Sequence, residues 1–393
     1  MISVFGSLVG AEELEEVRSS LDGQWMGIGP KTKRFEEAFA HRLGLPGFTL
    51  LDSGSNALYL AVRLLDLPAG AEVVLPSFTW LSCANAVVLA GCMPVFCDVE
   101  LDTQNVSRAT VEPCLTARTR AVMVVHYAGK PVDAPQIADL GLPVIEDCAH
   151  AVDSRLHDQA CGTLGDVGMY SFDAVKNLAM PEGGGVTAKD PALLERAARL
   201  RYCGVGKSGF EASAGKGTRW WEYDIVAAFP KLIPNDVCAA IGLAQLRKLD
   251  ATQRRRKAIW DHYQHELADL VWLVRPCDAA AGERHSYFTY VIRVAGGYRD
   301  ALARYLYDKD IYTTLRYHPL HMNPIYGSSA RLPVSERLNE EALCLPLHPR
   351  LTDDDVTTVV AAVRAFARRS TTPPRNAGSA DGGSATRTSG AAQ

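Results

Sequence analysis

The chain has 393 residues, an ordinary globular composition and a formal net charge of −4. That length exceeds one typical domain, and the charge balance excludes the basic stripe that a nucleic-acid binder needs. No apolar run approaches the ~20 residues of a membrane span. The ten scattered cysteines, with no C-x-x-C among them, read as reduced cytosolic thiols rather than a disulfide framework or a zinc site.

The N-terminal run MISVFGSLVGAEELEEV has no basic start and turns acidic early, so it does not read as a signal peptide. GAEELEEVRSSLDG and KTKRFEEAFAHRLG have helical spacing and end in glycine, a common helix stop. SNALYLAVRLLDL is a further helix. Short β-branched runs follow: EVVLP, MPVFCDV, RAVMVVHYAG, LPVIED and VGMYSF. Most are bounded by Gly or Pro, and helical patterns separate several of them. Continuous apolar strands alternating with helices predict a largely parallel sheet covered on both faces. Residues 1–250 are thus expected to form a large α/β domain.

After a long helical segment the pattern changes. YFTYVIRV alternates as an antiparallel strand does, YRDALARYLYDKD is helical, IYTTLRY reads as a strand, and TDDDVTTVVAAVRAFARR is a closing helix with a Thr-Asp start. Residues 251–370 are expected to form a smaller α+β domain. The tail, 371–393, is rich in Pro, Gly, Ser and Ala and is expected to be disordered.

In an open α/β sheet, ligands bind beyond the carboxyl ends of the strands. Asp147 ends the run PVIED, with His150 three residues on. Lys176 follows MYSF and precedes three glycines, a run that reads as a turn or loop. Ser53, Gly54 and Ser55 stand at the start of a strong helix, where backbone N–H groups and hydroxyls can hold an anion. Trp80 lies just past another strand, with a flat face for stacking. Each has a plainer reading: a helix cap, a solvated turn, an exposed lysine, a core aromatic. Together they supply a phosphate cradle, an aromatic platform, a carboxylate and a lysine. Pyridoxal 5′-phosphate needs all four. The phosphate needs donors, the ring a stacking partner, the pyridine nitrogen an Asp, and the aldehyde a lysine for a Schiff base. Ser171 can add a hydroxyl to the phosphate, and His150 is close enough in sequence to Asp147 to reach the ring oxygen.

The set EDCAHA, SF, KN and EGG, with SGSNALYLA, LPSFTWLSCANAV, NDVCAAIGLAQLRKLD and YHPLH, resembles the DegT/StrS family of sugar aminotransferases. The resemblance covers nearly all of the chain except the tail. It implies a fold-type I pyridoxal-phosphate enzyme with a mixed, mostly parallel sheet. It further implies that Lys176 carries the cofactor, Asp147 pairs with its ring nitrogen and Trp80 stacks on the ring. Gly54, Ser55 and Ser171 would hold the phosphate, and His150 would sit near the ring oxygen. Asn235 matches an asparagine that reaches the phosphate of a neighbouring subunit, which implies a homodimer with shared sites. Pro181 departs from the family's usual Gly or Thr.

The basic and aromatic stretch holding Lys207, Lys216, Arg219, Trp220, Trp221 and Tyr223 is a substrate-facing loop or a plain surface loop. His318 and His321 either line the site mouth or are ordinary core or surface histidines. The expected activity is transfer of an amino group from an amino acid, L-glutamate or L-glutamine, to a nucleotide-linked keto-sugar or a related polyol ketone, in a cytoplasmic enzyme. Two alternatives stand beside it. One is a sugar dehydratase, against which Lys176 argues because that branch of the family has histidine there. The other is a cofactor-bound sensor without turnover.

Overall fold

The computed structural model describes residues 1–206, 221 and 223–366. The expected disordered tail, 371–393, lies outside the described residues, as do Lys207, Lys216, Arg219 and Trp220.

Two helices open the chain, α1 (Ala11–Asp22) and α2 (Pro30–Leu43). In α2, Thr32, Phe35, Phe39 and Leu43 recur at helical spacing and are all buried. The helix stops at Gly44, whose φ of 75° is a left-handed conformation that suits glycine. Strand β1 (Thr49–Leu51) leads into α3 (Gly54–Leu64), and Ser53 caps that helix by accepting a bond from the Asn56 N–H. Strand β2 (Glu72–Pro76) is followed by α4 (Ser82–Leu89) and β3 (Met93–Cys97). Then come β4 (Thr119–Val125), β5 (Val144–Asp147), the short β6 (Arg155–Leu156) and β7 (Gln159–Ala160), β8 (Val167–Ser171) and β9 (Gly184–Ala188).

Seven of these strands form one sheet in the order β1-β9-β8-β5-β4-β2-β3. The pairs β3–β2, β2–β4, β4–β5 and β5–β8 are parallel. Strand β9 runs antiparallel to both β8 and β1. The sheet is therefore mixed and mostly parallel, with β9 as its reversed member. Most strand residues are buried, as a sheet covered on both faces requires. The carboxyl ends of β1, β2, β4, β5 and β8 share one edge, and β9 begins there, because Gly184 pairs with Ser171.

The glycine run does not behave as a loop. Gly184 and Gly185 are strand residues of β9. A Cβ on Gly184 would stand 2.5 Å from the Ser53 carbonyl carbon. The lack of a side chain lets β9 pass against the chain just before α3.

A 31-residue helix, Asp236–Glu266, runs from the large sheet toward a second, smaller one. Four more strands follow: β10 (Leu273–Val274), β11 (Glu283–Arg284), β12 (Tyr290–Val294) and β13 (Ala342–Leu345). Strands β10, β12 and β13 form an antiparallel sheet, while β11 pairs with β6. The small sheet packs with Trp260, Tyr263, Leu302, Val359 and Val363 into a separate apolar cluster. The closing helix, Asp353–Ala365, starts from a Thr352 capping box. The expected strand IYTTLRY is not one. Ile311 bridges to Ile2 and Thr314 to Cys344, so the segment passes between two partners instead of running along either.

Candidate active site

A cavity of about 260 Å³ opens at the carboxyl edge of the large sheet. Its lining includes Gly54, Ser55, Trp80, Asp147, His150, Ser171 and Lys176. These residues span more than a hundred positions of sequence. Topology brings them together, because each stands at or just past a strand end on the same edge.

Lys176 sits in the turn after β8. Its N–H donates to the Asp173 carbonyl at 2.9 Å. The next residue, Asn177, is clamped by its side-chain amide to Gln253 Oε1 at 3.0 Å and to the Ser286 carbonyl at 2.7 Å. Lys176 Nζ lies 5.1 Å from the centre of the Phe288 ring. Burial pushes the Lys176 ammonium down to about 8, and the Arg316 charge adds to the effect, while Asp147 and Asp173 pull the other way.

Asp147 is the last residue of β5. Its Oδ1 accepts the Ala149 N–H at 2.8 Å, and its Oδ2 accepts the Cys83 thiol at 3.2 Å. Cys83 is itself 3.3 Å from the Thr79 hydroxyl. The carboxylate is thus fixed in rotation, with lone pairs to spare for a donor in the cavity.

The His150 ring stacks on Phe288 with 4.0 Å between centroids, and its Nε2 lies 3.1 Å from the Tyr317 hydroxyl. Its Nδ1 is buried with no partner. Burial, with the charges of Lys176 and Arg316, holds its pKa well below the usual imidazole value, so the ring is neutral. Trp80 is half exposed and tilts toward Tyr317 at 5.3 Å between ring centres. Burial pushes Tyr317 up to about 12, so it stays a neutral phenol.

The anion cradle is the N-terminus of α3. Ser55 Oγ lies 2.7 Å from Ser82 Oγ. A Cβ on Gly54 would stand 2.6 Å from Ser171 Oγ, so only glycine lets β8 approach the helix start this closely. Free N–H groups, hydroxyls and the positive end of the helix dipole converge there.

These features fit pyridoxal phosphate. The unpartnered Nδ1 of His150 suits a ring oxygen, the spare lone pairs of Asp147 suit a ring N–H, and the α3 cradle suits a phosphate. Asn235 stands apart. It is exposed, caps the long helix by accepting the Cys238 N–H at 2.8 Å, and does not line the cavity.

Sequence reasoning passed over Cys83, Phe288 and Tyr317. Tyr317 lies inside the YHPLH motif, where the histidines drew the eye. Yet neither His318 nor His321 lines the cavity. His318 is exposed and bonds Asn339, while His321 is buried against Ser77 Oγ at 2.6 Å. Phe288 carried no signal, since one aromatic among the three of YFTYVIRV, a strand-like run, reads as core.

The buried group His126, Glu146 and Cys148 has metal-ligand chemistry. Its strongest members are already engaged. His126 Nδ1 accepts the Val132 N–H at 2.9 Å and Nε2 faces Glu146 at 2.8 Å. Glu146 also takes the N–H groups of Gly162 and Gly165 at 2.8 and 2.6 Å. The group ties β4 and β5 to the loop after β7.

Comparison with known proteins agrees with this geometry. The model of the DegT/DnrJ/EryC1/StrS aminotransferase family matches residues 8–364. The chain is 41% identical over 366 residues to the dTDP-4-dehydro-2,3,6-trideoxy-D-glucose 4-aminotransferase of Saccharopolyspora spinosa, covering 91% of this chain and 95% of that protein. Among solved structures it is similar to the aminotransferase TlmJ from Streptoalloteichus hindustanus, with 44% identity, a TM-score of 0.88 and coverage of 93% and 98% of the two chains. It is also similar to Spr1654 from Streptococcus pneumoniae in its PLP form, with 26% identity, a TM-score of 0.84 and coverage of 91% and 96%.

Proposed function

The chain belongs to the DegT/DnrJ/EryC1/StrS aminotransferase family and is a pyridoxal-phosphate-dependent aminotransferase; from that premise we propose which residues do the work and on what substrate. Lys176 holds the cofactor's aldehyde. Asp147 faces the ring nitrogen, His150 the ring oxygen, and Trp80 one ring face. Gly54, Ser55 and Ser171 hold the phosphate. The observation that supports this reading best is that Lys176 and Asp147 line one cavity together with Ser53, Gly54 and Ser55 at the start of α3.

Bound pyridoxal phosphate supplies an electron sink for the charge left when a proton leaves the donor's α-carbon. The protein does the rest. Asp147, locked by Ala149 and Cys83, keeps the ring nitrogen protonated. With its amine free, Lys176 would serve as general base at the donor's α-carbon, and burial lowers its ammonium to about 8. Neutral His150 and Tyr317 hold the ring oxygen without adding charge.

The acceptor is a keto-sugar carried on a nucleotide, and the product an amino sugar. The Saccharopolyspora spinosa relative, named for such a substrate, supports this. The donor is L-glutamate or L-glutamine. The enzyme works as a homodimer. The residue after Asn235, Asp236, donates its N–H to the Met26 carbonyl, and Trp25 and Met26 are 58% and 62% exposed. An exposed apolar rim around a polar cap suits a partner subunit. Ten unpaired cysteines favour the cytoplasm. Among the described residues no helix is long and apolar enough to cross a membrane.

The test is the absorbance spectrum of the protein loaded with pyridoxal phosphate. Adding L-glutamate should bleach the visible band, and adding dTDP-4-dehydro-2,3,6-trideoxy-D-glucose afterwards should restore it. A band that no amino acid alters would overturn the aminotransferase reading.

A further inference from the structure

The imidazole of His150 is neutral, because burial and the charges of Lys176 and Arg316 hold its pKa well below the usual value. A neutral imidazole carries one N–H and one lone pair, and either nitrogen can take either role. Its neighbours fix the ring before they fix the proton. Phe288 stacks on it with 4.0 Å between centroids and 18° between planes, and Tyr127 meets it edge-on at 5.9 Å. The Ser286 hydroxyl donates to the His150 carbonyl and anchors the backbone behind the ring.

The two nitrogens then meet different surroundings. Nδ1 is buried and has no partner, whereas Nε2 lies 3.1 Å from the Tyr317 hydroxyl. Among the described residues that hydroxyl has no other hydrogen-bond partner. Tyr317 keeps its proton, because burial pushes the phenol up to about 12. A phenol is a strong donor and a weak acceptor, since its oxygen lone pair is drawn into the ring. The imidazole lone pair, by contrast, is a good acceptor. The shared proton therefore belongs to Tyr317, and the imidazole N–H is left on Nδ1. Both residues line the cavity.

We propose that Tyr317 is a positioning residue: by donating to Nε2 it places the N–H of His150 on Nδ1, so that the histidine offers a donor to the cofactor's ring oxygen. The inference rests on the seat proposed for the cofactor and deepens it. Tyr317 acts through His150. A donor aimed at the ring oxygen favours its negative charge and loosens the proton which that oxygen shares with the attached Lys176 nitrogen. The other tautomer would set a lone pair against the oxygen's own lone pairs.

Two measurements test this on wild type, Tyr317→Phe, His150→Ala and the double variant. The first is the pH midpoint of the visible band in the protein loaded with pyridoxal phosphate. Tyr317→Phe should raise that midpoint by about one unit. In the His150→Ala background the same change should move it by less than about 0.3 units, because the residue Tyr317 acts on is gone. The second is nitrogen NMR of cofactor-free protein with labelled histidines, with the His150 signals identified by their loss in His150→Ala. Wild type should show the Nδ1–H form. Tyr317→Phe should move the population toward Nε2–H, the form a free histidine side chain prefers.

A wild-type His150 protonated on Nε2 would overturn the proposal. So would a Tyr317→Phe shift that is equal in both backgrounds, which would make Tyr317 a packing residue, or no shift at all. A wild type that forms no visible band with pyridoxal phosphate would sink the proposed cofactor seat instead; the NMR of the cofactor-free protein would then still judge Tyr317.

Discussion

The carboxyl edge of the large sheet and the core under the small sheet use similar residues for opposite ends. Under the small sheet, Trp260 meets Tyr290 at 4.8 Å and Tyr287 at 5.1 Å, and Tyr263 donates its hydroxyl to the Pro346 carbonyl at 2.9 Å. Rings pack on rings there, and even the unpartnered Trp260 Nε1 and Tyr290 hydroxyl are sealed inside the apolar cluster. At the large sheet's edge several groups are left unspent: His150 Nδ1, a lone pair of Asp147, the N–H groups opening α3 and the Lys176 amine. A stable fold closes its polar accounts. The lesson is that open ones mark where a ligand belongs when, as at these strand ends, their residues line a shared cavity.

The sharpest way to break this contrast is Lys176→Ala. Turnover should fall by ~10⁴-fold or more, since both the attachment point and the general base go. Folding should be spared, which circular dichroism and thermal melting would check. Asp147→Asn comes next. It keeps the shape and loses the charge, and the first half-reaction should slow by ~10²–10³. A rate within a factor of two of wild type would remove Asp147 from its assigned role.

The small-sheet core should respond in the opposite sense. Trp260→Ala should cost about 3–5 kcal/mol of stability, read by denaturant unfolding. Cofactor affinity at temperatures where the variant is folded should not move. Gly184→Ala should do the reverse. Its new Cβ collides with the Ser53 backbone, a strain of about 1–3 kcal/mol. Most of that strain falls on the α3 cradle, so a cofactor titration should show weaker binding and a smaller change in melting.

The smallest effect is a pH slope in the cofactor-free protein. Lys176 titrates at about 8 in the folded chain and at 10.5 when unperturbed. Between those values the unfolded chain holds a proton that the folded chain has released. Stability from this group therefore rises with pH from about 8 to 10.5 and is flat beyond. Lys176→Met should lack that rise, and melting the two proteins across the window would show the difference.

Much of the chemistry was legible because strand ends are legible. A β-branched run that stops at an acid, as at Asp147, or at a Ser-Phe pair before a lysine, as at Ser171 and Lys176, marks both the element and what it presents. The helix starting at Gly54 announced its cap in the same way. The misreadings share one cause. The glycines 183–185 looked like a loop because local propensity disfavours glycine in strands. Packing against Ser53 overrode that preference, since only a residue without a Cβ fits. IYTTLRY looked like a strand because its residues favour one, but its neighbours offer only isolated bridges.

The sequence by itself thus determined the layered α/β pattern, the parallel strands and the kinds of side chain at their carboxyl ends. Local rules of pleat, cap and turn act within a few residues, and a single chain displays them. Only the tertiary structure decided which groups are left without partners. Whether His150 is satisfied depends on Phe288 and Tyr317, more than a hundred positions away, and burial, which makes an unpaired group a binding site, exists only once the chain has folded.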